Sequence, residues 1–187
     1  MFQKINSDKI FNEKIWNISL PLILQNLISS SVNLANNFMI GSFGDTTIAA
    51  VSLANQIFFL YNLLIFGAVS GGIVIKAQLW GEKDISSIKK VLGTELLWCL
   101  VIGILFSCLT FFIPDRILYL YSLDSEVVKQ ASQYMSILSS SFIFLSITLV
   151  FSGTHRSVGN TLVPMLIACT AFFINLLLNY VMIFGKL

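Results

Sequence analysis

The sequence predicts an all-α integral membrane protein with five transmembrane helices, and three observations carry that prediction. The 187 residues are 56% hydrophobic and only 11% charged, with a mean hydropathy of +0.86, whereas an ordinary soluble domain is about 25% charged. Five long apolar stretches, at about 15–40, 47–75, 91–113, 131–152 and 162–184, each reach the roughly 20 residues a helix needs to cross a bilayer core. Each stretch must be helical, because an open strand leaves its backbone unsatisfied in lipid. The third observation is charge placement. With the N-terminus inside, Lys4, Lys9, Lys14, Lys76, Lys83, Lys89, Lys90 and Arg156 fall on the cytoplasmic side, and Arg116, Lys129 and Lys186 fall outside. That positive-inside bias accounts for the formal net charge of +2 without a nucleic-acid partner.

The first element is preceded by a charged stretch, 1–14, in which Ser7 or Asp8 caps a short surface helix with Ile10, Phe11 and Ile15 on one side. This is no secretory signal, since the span that follows is too long and too rich in amides for a signal core. Pro21 lies six residues into the first span and removes a backbone hydrogen bond there, so it is the candidate hinge. The turn Gly41-Ser42-Phe43-Gly44-Asp45 is short enough to make the first two helices antiparallel neighbours, with Asp45 as the cap of the second. Within that second helix Gly67 and Gly71 have the GxxxG spacing that brings backbones together. Gly81 reads as its stop, and Asp84 as the N-cap of an amphipathic approach to the third helix. Pro114-Asp115-Arg116 ends the third helix, and the fourth is rich in serines that suit close helix packing. Thr161 caps the fifth, with Pro164 in its first turn.

The polar residues inside these spans carry the functional reading. Asn26, Ser29, Asn33 and Asn36 or Asn37 recur near one face of the first helix. In the second helix Ser52, Asn55, Phe59 and Asn62 share a face, with Gln56 beside it, and in the fifth Asn175 and Asn179 are one turn apart. Amides are costly in hydrocarbon unless they face protein or a watery cavity. Asn33, Asn36, Asn37, Asn55, Gln56, Phe59, Asn62, Asn175 and Asn179 are therefore the candidates for lining a substrate cavity that takes small organic solutes. Phe58, Phe59 or Tyr61 would hold a lipophilic cation through cation–π contacts. Glu95, near the inner end of the third helix, is expected to snorkel toward water.

Several classes are disfavoured. The chain lacks a GxxxxGK[ST] loop, GxSxG and HExxH, and His155 is its only histidine. An enzyme is not indicated, and no cofactor is called for. Cys99, Cys108 and Cys169 lie in apolar spans without CxxC spacing and read as packed free thiols.

An ordered set of segments resembles a known family. Ala35-Asn36-Asn37-Phe38-Met39-Ile40-Gly41, then Gly44 and Ile48-Ala49-Ala50-Val51-Ser52-Leu53-Ala54, looks like the first hairpin of the multidrug and toxic compound extrusion (MATE) family. Gly67 to Gly72 with Gly81-Glu82-Lys83-Asp84 follows in order, as do Gly153-Thr154-His155-Arg156-Ser157-Val158-Gly159-Asn160-Thr161 with Pro164, then Asn175, Asn179-Tyr180 and Ile183-Phe184-Gly185. The resemblance implies a multi-pass protein of the cell membrane with twelve helices in two six-helix lobes, exchanging sodium ions or protons for organic, typically cationic, compounds. This chain would supply helices one to five of the N-terminal lobe, with the sixth helix and the C-terminal lobe outside it and that lobe as its partner. Family members commonly carry an aspartate where this sequence has Asn36, and some carry one where it has Asn179. An amide exchanges no proton, although its oxygen is a sodium ligand candidate at Asn36. The coupling carboxylates are then expected in the C-terminal lobe, and no metal site is otherwise indicated.

Two other readings compete. A lipid-linked sugar flippase would need basic residues in the cavity to handle pyrophosphate, and the only candidates, Lys76 and Lys129, fall at span ends. A non-transporting membrane fragment or assembly partner fits the short length.

Overall fold

A computed structural model describes residues 2–41 and 44–183. Among them every regular element is an α-helix and there is no strand. The helices are α1 (Phe2–Gly41), α2 (Asp45–Gly81), α3 (Ile85–Phe112), α4 (Pro114–Leu118), α5 (Ser125–Leu138), α6 (Ser141–Ser157) and α7 (Leu162–Ile183). Among the described residues four stretches are long and apolar enough to cross a membrane: Ile18–Asn36, Asp45–Gly81, Ile85–Phe112 and Leu162–Val181. A fifth span is made if α5 and α6, bent by 54° at their junction, act as one. The expected all-helical membrane architecture is therefore present. The chain divides into two compact units, Met1–Met39 with Gly159–Leu187, and Ile40–Val158.

Several local expectations change. α1 begins at Phe2 and runs unbroken through Pro21, so no separate surface helix is capped at Ser7 or Asp8, whose side chains lie outside the described residues. α2 continues past 75 to Gly81, which carries Lys76 inside the helix. Its N-cap position is Gly44, at φ 99°, while Asp45 sits in the first turn without a capping bond. There its charge still complements the helix dipole. The stretch 131–152 is not one helix. It is divided at Ser139–Ser140, where α5 ends and α6 starts.

In the larger unit, α2, α3 and α6 pack around Tyr61, which is fully buried. Its ring meets Phe142 edge-on at 4.7 Å between centroids and Phe106 at 5.4 Å. The Tyr61 hydroxyl donates to the Phe142 carbonyl at 2.6 Å and lies 2.7 Å from Ser146 Oγ, which itself donates to the Cys99 carbonyl at 2.8 Å. Three close oxygen contacts thus share two hydroxyl protons and tie three helices together. Gly103 permits this approach, because a Cβ there would stand 2.5 Å from Ser146 Oγ and 3.2 Å from the Phe142 carbonyl oxygen. Gly153 does the same against Val69 at 2.6 Å. By contrast, nothing lies within 4 Å of a Cβ added at Gly67 or Gly71, so the GxxxG pair is not what brings these helices together. Farther along, Ser132 of α5 donates to Asp115 of α4. Of the three free thiols, Cys99 is buried, Cys169 half-buried and Cys108 exposed, so only the first is fully packed.

Between α2 and α3 the chain turns through Lys83, a non-glycine residue at φ 62°. Asp84 then caps α3 as expected, accepting from the Ser87 hydroxyl at 2.6 Å and the Ser87 N–H at 3.0 Å. The hydroxyl bond first, then the backbone bond, holds its carboxyl below the ordinary carboxylate range. A lowered folded-state pKa means the cap's contribution is complete above the ordinary value and is lost as pH falls through the lowered one. Amide-exchange protection of the first turn of α3 should therefore fall on acidification, and Asp84→Ala should remove that pH dependence.

Candidate functional site

In the smaller unit, amides from α1 and α7 meet directly. Asn179 Nδ2 donates to Asn36 Oδ1 at 2.7 Å and to Asn175 Oδ1 at 3.1 Å. Both N–H groups of Asn179 are thereby engaged, while its own carbonyl oxygen and the second lone pairs of its partners remain acceptors. Asn33 and Asn175 line a cavity of about 340 Å³ between the two helices, with Ser29, Val32, Ala171 and Phe172. Four of the sequence-predicted residues are thus brought together: Asn36, Asn175 and Asn179 by hydrogen bonds, and Asn33 through the cavity wall. The Asn37 side chain lies outside the described residues. Pro21, on the same helix, is buried.

The remaining candidates belong to the larger unit and form two other surfaces. Asn55, Gln56 and Phe59 line an open cavity of about 450 Å³ with Ser52, Leu60 and Tyr121. Phe59 also borders a groove of about 290 Å³ between α2 and α6, together with Asn62, Phe66, Ser70, Ser152 and Arg156. Asn62 Nδ2 donates to the Phe58 carbonyl one turn back, at 2.8 Å, which satisfies part of that amide inside its own helix. Of the three aromatics expected to meet a cation, only Phe59 is exposed. Tyr61 is fully buried and Phe58 packs in its ring cluster. Sequence reasoning missed Arg156 and Ser152 as groove residues, because the face of α6 that carries them is defined only by its packing on α2.

This arrangement of helices is shared with known proteins. The MatE family model matches residues 21–181. The chain belongs to the MatE family. Its relatives include the probable multidrug resistance protein NorM of Thermotoga maritima, 25% identical over 169 residues that make up 90% of this chain and 36% of that protein. The multidrug export protein MepA of Staphylococcus saprophyticus is 28% identical, over 89% of this chain and 37% of that one. The chain therefore spans a little over a third of the length of these relatives. Among solved structures, a MOP superfamily transporter from Pyrococcus furiosus superposes with a TM-score of 0.85 at 21% identity, over 92% of this chain and 38% of that one. An outward-facing MATE family multidrug resistance transporter gives the same TM-score and coverage. These structural matches establish the fold, and the family together with the apolar spans makes the chain a multi-pass membrane protein.

Two features of the MatE chain stand out chemically. The amide network offers neutral donors and acceptors, which bind solutes or ions without exchanging protons. Glu95, expected to reach toward water, is instead buried and paired with Lys76. Lys76, expected at a span end, is fully buried within α2.

Proposed function

We propose that this chain forms part of the wall of a solute pathway in a secondary exporter that exchanges sodium ions or protons for lipophilic organic cations. The observation that carries the reading is the Asn36–Asn179–Asn175 network beside the cavity of the smaller unit. Packing alone rarely needs three amides in contact within apolar helices, and interhelical hydrogen bonds in membranes are individually weak. Asn36 Oδ1 is then a contact for the solute or for sodium, with Asn33 beside it in the smaller unit, while on the larger unit Asn55, Gln56 and Asn62 offer polar contacts and Phe59 an exposed aromatic face. The names of the relatives, multidrug resistance and export proteins, support the same activity. A C-terminal lobe, matching the remaining length of those relatives, is the partner that completes the pathway. The chain acts as a single membrane domain with its N-terminus cytoplasmic, a placement supported by the charge bias, and Pro21 serves as its hinge.

Cells producing the chain together with a C-terminal lobe that completes the transporter should accumulate less tetraphenylphosphonium than cells without it. Asn36→Leu should lower that efflux by roughly 3- to 15-fold, the equivalent of about 0.6–1.7 kcal/mol for one interhelical hydrogen bond, with unchanged protein in the membrane. Normal efflux by the variant would return Asn36 to a packing role. Comparing a sodium gradient with a pH gradient in vesicles identifies the coupling ion.

A further inference from the structure

Away from the amides, three polar side chains from three helices meet inside the larger unit. Lys76 of α2 is fully buried and donates to Glu95 Oε2 of α3 at 2.5 Å and to Thr154 Oγ1 of α6 at 2.7 Å. Thr154 Oγ1 in turn donates to the Val150 carbonyl at 2.8 Å. Glu95 is only 8% exposed, and its other oxygen, Oε1, is buried with no hydrogen-bond partner. Gly72, one turn before Lys76, makes room for the carboxyl. A Cβ there would lie 2.5 Å from Glu95 Cδ and 2.6 Å from each of its oxygens.

Ionisable side chains are rare within membrane spans because each is costly there, and those present tend to mark ion or proton paths. A buried pair that serves only as a clamp is expected to have its remaining lone pairs satisfied. Here the carboxylate is anchored through one oxygen and unpartnered at the other. A proton added at Oε1 leaves Oε2 as a carbonyl oxygen that still accepts from Lys76, so no contact between helices has to break.

We propose that Glu95, held by Lys76, is a proton-binding site of this chain. Hydronium gives its proton to Oε1 and leaves as water, Lys76 remains an ammonium, and the pair changes from neutral to a single positive charge. The proton enters and leaves at the end of the bundle where α2 stops and α3 begins. Lys76 is the ionisable group facing Glu95 from α2, and Cys99 lies one turn farther on α3 itself. α6 presents Thr154, followed in sequence by His155 and Arg156. Asp115, Arg116, Glu126, Lys129 and Tyr134 belong to α4 and α5, at the opposite end of α3. This site goes beyond the amide reading and rests on it only for the use made of the proton.

The test is infrared difference spectroscopy of the purified protein in lipid nanodiscs between acid and neutral pH, with proton uptake followed by an indicator dye. The expected result is a carboxylic-acid C=O band that appears on acidification and is lost in Glu95→Gln, together with a matching loss of proton uptake. Gly72→Ala, which retains Glu95 but crowds its carboxyl, should shift that band. Should Glu95→Gln fail to fold, the paired variant Lys76→Met/Glu95→Gln removes both charges and should lack the same band. An identical band pattern and uptake in the native protein and in whichever of these variants folds would overturn the proposal. Neither readout requires transport, so failure of the amide site to handle solutes leaves this test intact.

Discussion

Lys76→Met should destabilise the protein by about 3–5 kcal/mol, the usual consequence of leaving one buried charge without its partner. The carboxylate of Glu95 would then have neither oxygen hydrogen-bonded, since Oε1 is unpartnered already and Oε2 depends on Lys76. Thr154 would lose its contact with the ammonium as well. Glu95→Gln also leaves a buried charge, the Lys76 ammonium, without its countercharge, but should cost somewhat less than Lys76→Met because the amide oxygen still accepts from Lys76. The paired change Lys76→Met/Glu95→Gln should recover most of the loss, because buried ion pairs in general stabilise little against neutral replacements. Thermal unfolding of the four proteins in the same detergent measures the cycle. Equal losses in the two single variants would mean a symmetric clamp, and would count against an exchangeable proton on Glu95.

That pair marks the limit of what could be read from the sequence. The membrane class and the helices were legible because apolar runs of this length have no other stable form in lipid. The amides of α1 and α7 were legible as stripes, since helical spacing places them on a face whatever the tertiary structure. Their union was not, because Asn36 and Asn179 are 143 residues apart. Lys76 and Glu95 were harder still. The apolar run ends at 75, just before Lys76, whereas the helix continues to Gly81, and the nearness of Glu95 to a helix end in sequence does not bring it to water. Glycines misled in a similar way. The GxxxG spacing pointed to Gly67 and Gly71, whereas the close contacts are made at Gly72, Gly103 and Gly153, whose partners come from other helices. The junction at Ser139–Ser140 was invisible because serines pack quietly within many membrane helices.

The second large effect is expected at Tyr61. Tyr61→Phe removes only the hydroxyl; Ser146 keeps its bond to the Cys99 carbonyl, and the Phe142 carbonyl keeps its place in α6. A loss of about 0.6–1.7 kcal/mol is expected, in the range of interhelical hydrogen bonds in membranes. Tyr61→Ala is a different perturbation. It removes on the order of 100 Å³ from a fully packed position, which at about 24 cal/mol per Å³ of cavity amounts to about 2–2.5 kcal/mol. The hydrophobic transfer contribution that enlarges such losses in water is small here, since lipid tails are as apolar as the core. What is lost is dispersion contact with Phe106 and Phe142 on α3 and α6. The difference between the two variants, read from unfolding in one detergent, separates the rings from the hydroxyl. If Tyr61→Phe costs as much as Tyr61→Ala, the hydroxyl network rather than ring packing holds the three helices together. Retained rigidity of α2, α3 and α6 in Tyr61→Phe, seen as unchanged amide-exchange protection, would place the ring cluster at the centre of the larger unit.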